Sequence, residues 1–183
     1  MGLTIVTPAS EAPISLDEVK ALASVEDSSH DVRLNLLLDA AVRQVEELLG
    51  MALGPTVYRL TLDAWADAIE LPRAPVTAVG SVKYSDTAGA EQTVSADDYT
   101  LDATSSPQWL VRNADATWPD LVDGVNAVRI TFTAGFSDAG VPLPGPLKLA
   151  VGSLVSHWFD NGAEAGMPKG TWDLIGPWRR WVI

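Results

Sequence analysis

The sequence predicts an α+β fold: a three-helix core with an inserted antiparallel β sub-domain and an extended C-terminal tail. Three observations lead there. Apolar residues recur at three- and four-residue spacing near both ends of the chain, the mark of amphipathic helices. Between those regions the period changes to short alternating runs broken by Gly, Pro and Asp. After residue 162 neither period holds, and Gly and Pro interrupt the chain. The helical core is therefore assigned to residues 14–50 and 142–162, the inserted sub-domain to 56–135 and the tail to 163–183.

The first helix is expected to open at Ser15. With Glu18 three residues on, it makes a capping box, in which hydroxyl and carboxylate exchange bonds with free backbone N–H groups. Ile14 and Val19 have the spacing of a hydrophobic staple. The helix runs through Leu22 and stops near Glu26-Asp27-Ser28-Ser29. A longer helix follows, with Leu34, Leu37, Leu38, Ala41, Val45, Leu48 and Leu49 on one face. Gly50 is placed to close it in the left-handed conformation.

Strands are expected at Thr56–Leu62, Ile69–Leu71, Val76–Tyr84, Tyr99–Leu101, Trp109–Val111 and Ala127–Thr133. The last is rich in β-branched and aromatic side chains. Short strands joined by Gly, Pro and Asp turns imply an antiparallel sheet. Pro142, Pro144 and Pro146 then lead into a third helix, since proline suits a first helical turn. Its stripe is Leu147, Ala150, Val151, Leu154, Val155, Trp158 and Phe159. Three apolar faces need one another, which makes the strands an insertion between the second and third helices.

Composition narrows the function. The chain has 183 residues, 47% of them hydrophobic, and no cysteine. A disulfide framework, a thiolate metal site and a cysteine nucleophile are excluded. No apolar run reaches the roughly 18 residues of a membrane span, so no membrane partner is expected. The opening MGLTIVTPASEAPIS has no early Lys or Arg, so no secretory signal is expected. The net charge is −12, and nucleic-acid binding needs clustered Lys and Arg to displace counterions. From Asp86 to Asp123 eight carboxylates face a single base, Arg112.

No catalytic residue, metal ligand or cofactor site is assigned. His30 and His157 lie far apart, without the further ligands or the HExxH spacing of a zinc centre. Ser156, His157 and Asp160 are neighbours on one helix, whereas a triad converges from separate elements. Phosphate loops of the GxGxxG or GxxxxGK[ST] kind are missing. Asp97-Asp98 is a lone acidic pair. Seven Trp are present, and three of them, Trp172, Trp178 and Trp181, crowd the last twelve residues beside Arg179-Arg180. Trp and Arg together mark protein interfaces. The segment is expected either to fold back on the protein's own core or to enter another chain, and in the second case the candidate interface is Trp172, Leu174, Ile175, Pro177, Trp178, Arg179, Arg180 and Trp181.

Taken in order, several segments resemble the gp6-like, or phiE125 gp8-like, head–tail connector (adaptor) proteins of long-tailed phages and gene transfer agents. They are Ile14–Leu22 and Leu37–Leu49, then Ile69-Glu70-Leu71-Pro72-Arg73-Ala74-Pro75-Val76 with Val79 and Val82-Lys83-Tyr84. Asp97-Asp98-Tyr99, Trp118-Pro119, Val128–Gly135, Val141-Pro142 with Pro146–Ala150, and Leu174–Arg180 complete the set. Trp178 stands where relatives often carry Tyr. The resemblance implies a structural virion protein of the neck, made in the bacterial host cytoplasm, and no enzyme. It implies a ring, commonly of twelve copies, under the portal protein. Such a ring prolongs the DNA tunnel, lets DNA pass without specific binding, and receives a stopper or tail-completion protein. The C-terminal segment would reach the portal. A stopper or tail-terminator ring and a Trp-based carbohydrate-binding module are the alternatives. Stopper rings are mostly β, so the long helices weigh against the first.

Overall fold

The computed structural model describes residues 1–137 and 140–179. The chain divides into two compact units. One comprises Met1–Ala9 and Pro55–Gly135, the other Ser10–Gly54 and the segment from Phe136 onward.

The first unit is all β apart from one 3-10 turn. Its strands are β1 (Gly2–Thr7), β2 (Thr56–Leu62), β3 (Ala68–Leu71), β4 (Val76–Ser85), β5 (Glu91–Thr93), β6 (Tyr99–Asp102), β7 (Gln108–Arg112) and β8 (Val128–Ala134). They form two antiparallel sheets rather than one. The larger runs β1-β2-β8-β4-β5 and the smaller β3-β7-β6. β8 shows why the larger sheet is stable: Val128, Ile130, Phe132 and Ala134 are buried and alternate with half-buried residues. Leu60 and Tyr58 on β2 stand opposite Ile130 and Phe132, and the Tyr58 and Phe132 rings stack with centroids 5.7 Å apart.

A buried polar side chain ties the two sheets. Gln108 on β7 accepts the Val76 N–H at 2.5 Å on β4 and donates to the Ala103 carbonyl at 2.9 Å. A buried amide is tolerable only when both its ends are bonded. Two strands lie outside the sequence expectations, β1 and β5. Both are edge strands, where half of the pairing signal is missing, and β5 has only three residues.

The second unit holds α1 (Leu16–Ala23), α2 (Asp31–Leu49), α3 (Gly145–Asn161) and α4 (Lys169–Ile175). The Ser15–Glu18 capping box is formed in both directions. Gly50 closes α2 at φ 64°. Ile14, Val19, Leu34, Leu38, Ala41, Val45, Leu49, Leu147, Val151, Leu154 and Trp158 make one core. Helices α1 and α3 meet where Gly152 has no side chain: a Cβ there would lie 2.2 Å from Leu22 Cδ1. Below that core a buried Glu46 accepts the Leu53 N–H at 2.8 Å, holding the turn after α2.

The tail departs from expectation. Residues 169–175 are helical rather than extended, and Thr171 and Ile175 are buried. The helical core thus has four helices among the described residues, not three. A seven-residue helix with Gly170 in its first turn has little helical tendency of its own. Burial of the Thr171–Ile175 face against the core decides its conformation.

Candidate functional site

The C-terminal segment is built in three steps. Pro168 sets the chain direction, and its carbonyl accepts the N–H groups of Thr171 and Trp172 at 3.0 and 3.2 Å. Helix α4 follows for two turns. Gly176-Pro177-Trp178 then makes a 3-10 turn, closed by Arg179 N–H donating to the Gly176 carbonyl at 3.2 Å. The lead-in loop is pinned by Trp158, whose indole N–H donates to the Gly166 carbonyl at 3.1 Å.

Helical spacing sorts the side chains of this segment. Thr171 and Ile175, four apart, point inward, and Ile175 is fully buried in the helical core. Leu174 and Trp178 are half-buried against the same core. Trp172, with 37% of its surface exposed, points outward with Asp173, Pro177 and Arg179. The Arg179 guanidinium carbon lies 5.5 Å from the Trp172 ring centroid, within cation–π range. Lys169 and Asp173 form an exposed pair at 3.0 Å on the same side.

The predicted interface residues therefore separate. Trp172, Pro177 and Arg179 share an accessible surface. Ile175 belongs to the protein's own core and is corrected from an interface anchor to a structural residue. Arg180 and Trp181 lie outside the described residues.

Sequence reasoning missed other exposed apolar groups. Val32 and Leu36 on α2 are 76% and 66% exposed. Their signal was available: both fall opposite the Leu34–Leu38–Ala41 stripe, on a face that ought to be polar. On β1, Ile5 and Val6 are exposed. No periodic pattern flags them, because an edge strand exposes residues of both parities.

The polar groups weighed for chemistry have structural employment. His30 packs edge-on against Phe159 at 5.3 Å, and Arg33 covers the same ring at 4.6 Å while donating to the Phe159 carbonyl at 2.9 Å. Ser156 Oγ donates to the Leu22 carbonyl at 3.3 Å, and His157 meets Asn161. Among the described residues no group of three or more His, Asp or Glu is placed to hold a metal ion. No helix of the described residues is long and apolar enough to cross a membrane.

Two acidic loop residues are likewise occupied. Asp102 takes bonds from the hydroxyls and N–H groups of Thr104 and Ser105, first the Ser105 hydroxyl, and these hold its carboxyl at about 2. Asp86 accepts from Gln92, Ala90 and Ala88 and is also held below the usual carboxylate range, with Gln92 the largest cause. At these two positions the acid is turn chemistry, in which Asp oxygens satisfy free loop amides.

Residues 13–109 match the profile of the phage gp6-like head-tail connector proteins. The chain belongs to this family. Solved structures similar to it extend over its whole length. A chain from the neck of an empty gene transfer agent (GTA) particle, computed with C6 symmetry, is 30% identical with a TM-score of 0.82. A chain from the virion of a native GTA particle gives the same values. A third, from the neck of a native GTA particle computed with C12 symmetry, is 31% identical with a TM-score of 0.79. Each alignment covers 100% of this chain and 97% of the other. Among curated proteins no relative matches. The connector family is a structural one, and the α+β fold agrees with that of its neck relatives.

Proposed function

We propose that this connector is an adaptor of the virion neck, assembled as a ring of twelve copies beneath the portal protein. The ring continues the DNA passage and offers its far side to a stopper or tail-completion protein. It performs no chemistry. The observation that carries this reading is full-length similarity to neck chains of GTA particles, one of them in a C12 reconstruction. The outward Trp172–Arg179 pair supports a protein contact at the C-terminal segment, because Trp and Arg are the side chains most concentrated in binding hot spots. The acidic balance suits a conduit, since a surface poor in Lys and Arg gives phosphates little to hold.

The test is attachment to tailless heads. Purified protein is mixed with portal-bearing heads, and the portal vertex is imaged. A collar of density there, absent from heads assembled without portal, is expected. Equal binding to portal-free heads, or no binding to either, would overturn the proposal.

A further inference from the structure

The ring needs a contact between copies, and the larger sheet has two edges, β1 and β5, without a further strand among the described residues to supply one. We infer that β1 of one copy pairs in parallel with β5 of the next, so that neighbouring sheets join edge to edge. This rests on the ring reading above.

β1 is an edge strand without the usual protection. Residues 1–9 carry no charged side chain, and Pro8 comes only after the strand ends. Edges that must stay unpaired are commonly guarded by Lys, Pro or inward charges. Among the described residues no strand pairs with the outer side of β1, whose row of backbone N–H and C=O groups is a template that a further extended strand fits. Leu3 and Ile5 stand opposite Leu60 and Tyr58, both buried. The apolar face of the sheet thus runs on to this edge, where Ile5 remains 41% exposed.

The opposite edge, β5, is exposed along its length. Its one charge is neutralised locally: Glu91 pairs with Lys83 at 2.7 Å and Arg129 at 3.2 Å. Gln92 donates to Asp86 at 3.0 Å. Neither strand therefore repels the other.

Strand direction selects the pairing. Every neighbouring pair in the β1-β2-β8-β4-β5 sheet is antiparallel. Across five strands the two edges consequently have the same sense, rotated from one another by the twist of the sheet. Rotation about a ring axis preserves strand direction along that axis, so unlike edges of adjacent copies meet in parallel. Pairing β1 with β1 would instead need a twofold axis and would stop at a dimer, whereas a head-to-tail contact closes rings.

Because the chain has no cysteine, crosslinking reports cleanly. Thr4 stands opposite Arg59, and Thr93 and Glu91 opposite Lys83 and Ser85, all on the outward parity of the sheet. Thr4→Cys is combined in turn with Thr93→Cys and Glu91→Cys, rings are assembled and verified by native mass spectrometry, and mild oxidant is added. A ladder of covalent multimers in at least one double variant, with no crosslink in any single variant, is expected. A covalent dimer from Thr4→Cys alone would show β1 meeting β1 and overturn the inference. So would verified rings in which neither double variant crosslinks. Ile5→Lys provides a second measurement: the ring-forming concentration should rise at least about tenfold while the far-UV circular dichroism stays unchanged. Unaltered assembly of that variant would contradict the edge contact while leaving the ring itself intact. Wild-type protein that forms no ring even on portal-bearing heads would instead remove the reading beneath.

Discussion

Trp65 and Trp118 lie face to face, ring centroids 4.4 Å apart and planes within 9°. Each indole N–H donates at 2.9 Å into the other's loop, Trp65 to the Pro119 carbonyl and Trp118 to that of Ala66. This reciprocal clasp joins the loop after β2 to the long loop before β8. It occupies two ring faces that a saccharide platform would need open. Trp118→Ala should lower stability by about 2 kcal/mol, the sum of a stacked pair and a hydrogen bond, read as a shift in the urea midpoint. Oligosaccharide titration should leave Trp fluorescence unchanged. A saturable change would revive the carbohydrate-binding alternative.

Leu38 tests the helical core. It is buried in one cluster with Leu49, Leu154 and Trp158. Leu38→Ala should cost about 2–5 kcal/mol, as for other buried leucines. A loss under about half a kcal/mol in chemical denaturation would show that α2 and α3 do not share this core.

These two sites show what was legible in the sequence. The stripes of α2 and α3 carry enough period to place Leu38 and Leu154 on facing surfaces. The capping box at Ser15 and the glycine at position 50 were equally local signals. The clasp was not legible, because Trp65 and Trp118 are 53 positions apart in loops, where no period links them. β1 escaped for a related reason: its partner, β2, begins about fifty residues later. Helix α4 was missed because its two buried positions, Thr171 and Ile175, become a stripe only once a core exists to bury them. The interface reading suffered from the same gap. Residue type flagged the segment, but only packing could assign Ile175 inward and Trp172 outward.

The acid limb of stability should report Glu18. Its carboxylate bonds Lys148 at 2.6 Å and accepts the Ser15 N–H and hydroxyl. These contacts, Lys148 first, hold its pKa at about 2, against an ordinary 4.5. A carboxyl depressed by folding contributes stability that is present above its unfolded value and lost as pH falls toward its folded one. Melting temperature should therefore fall between pH 4.5 and 2, and Glu18→Gln should flatten that fall. Because Asp102 titrates in the same window, the variant should reduce the slope without abolishing it. An unchanged acid limb would mean that the Glu18–Lys148 contact is not populated in solution.

The C-terminal segment requires substitutions that separate folding from docking. Deleting residues 172–183 would not do so, because it removes Ile175 from the core and uncovers the groups beneath Trp178. Point changes divide the two roles. Ile175→Ala should cost about 2–5 kcal/mol, the usual range for emptying a fully buried aliphatic site. Trp172→Ala and Arg179→Ala touch the outward face. Arg179→Ala should change stability by no more than about 0.5 kcal/mol, as surface substitutions generally do, and Trp172→Ala should cost less than Ile175→Ala because a third of its side chain already lies in solvent. If this face meets the portal, the same two changes should weaken attachment to portal-bearing heads by at least about tenfold, the loss of one hot-spot side chain. Arg179→Lys keeps the charge but not the planar fork, so it should restore attachment only in part. Co-sedimentation with heads and thermal melts of the isolated variants read the two effects separately. Full attachment by the Trp172→Ala, Arg179→Ala double variant, with unchanged melting, would place the portal contact elsewhere on the protein, and the exposed Val32–Leu36 face of α2 would become the next surface to test.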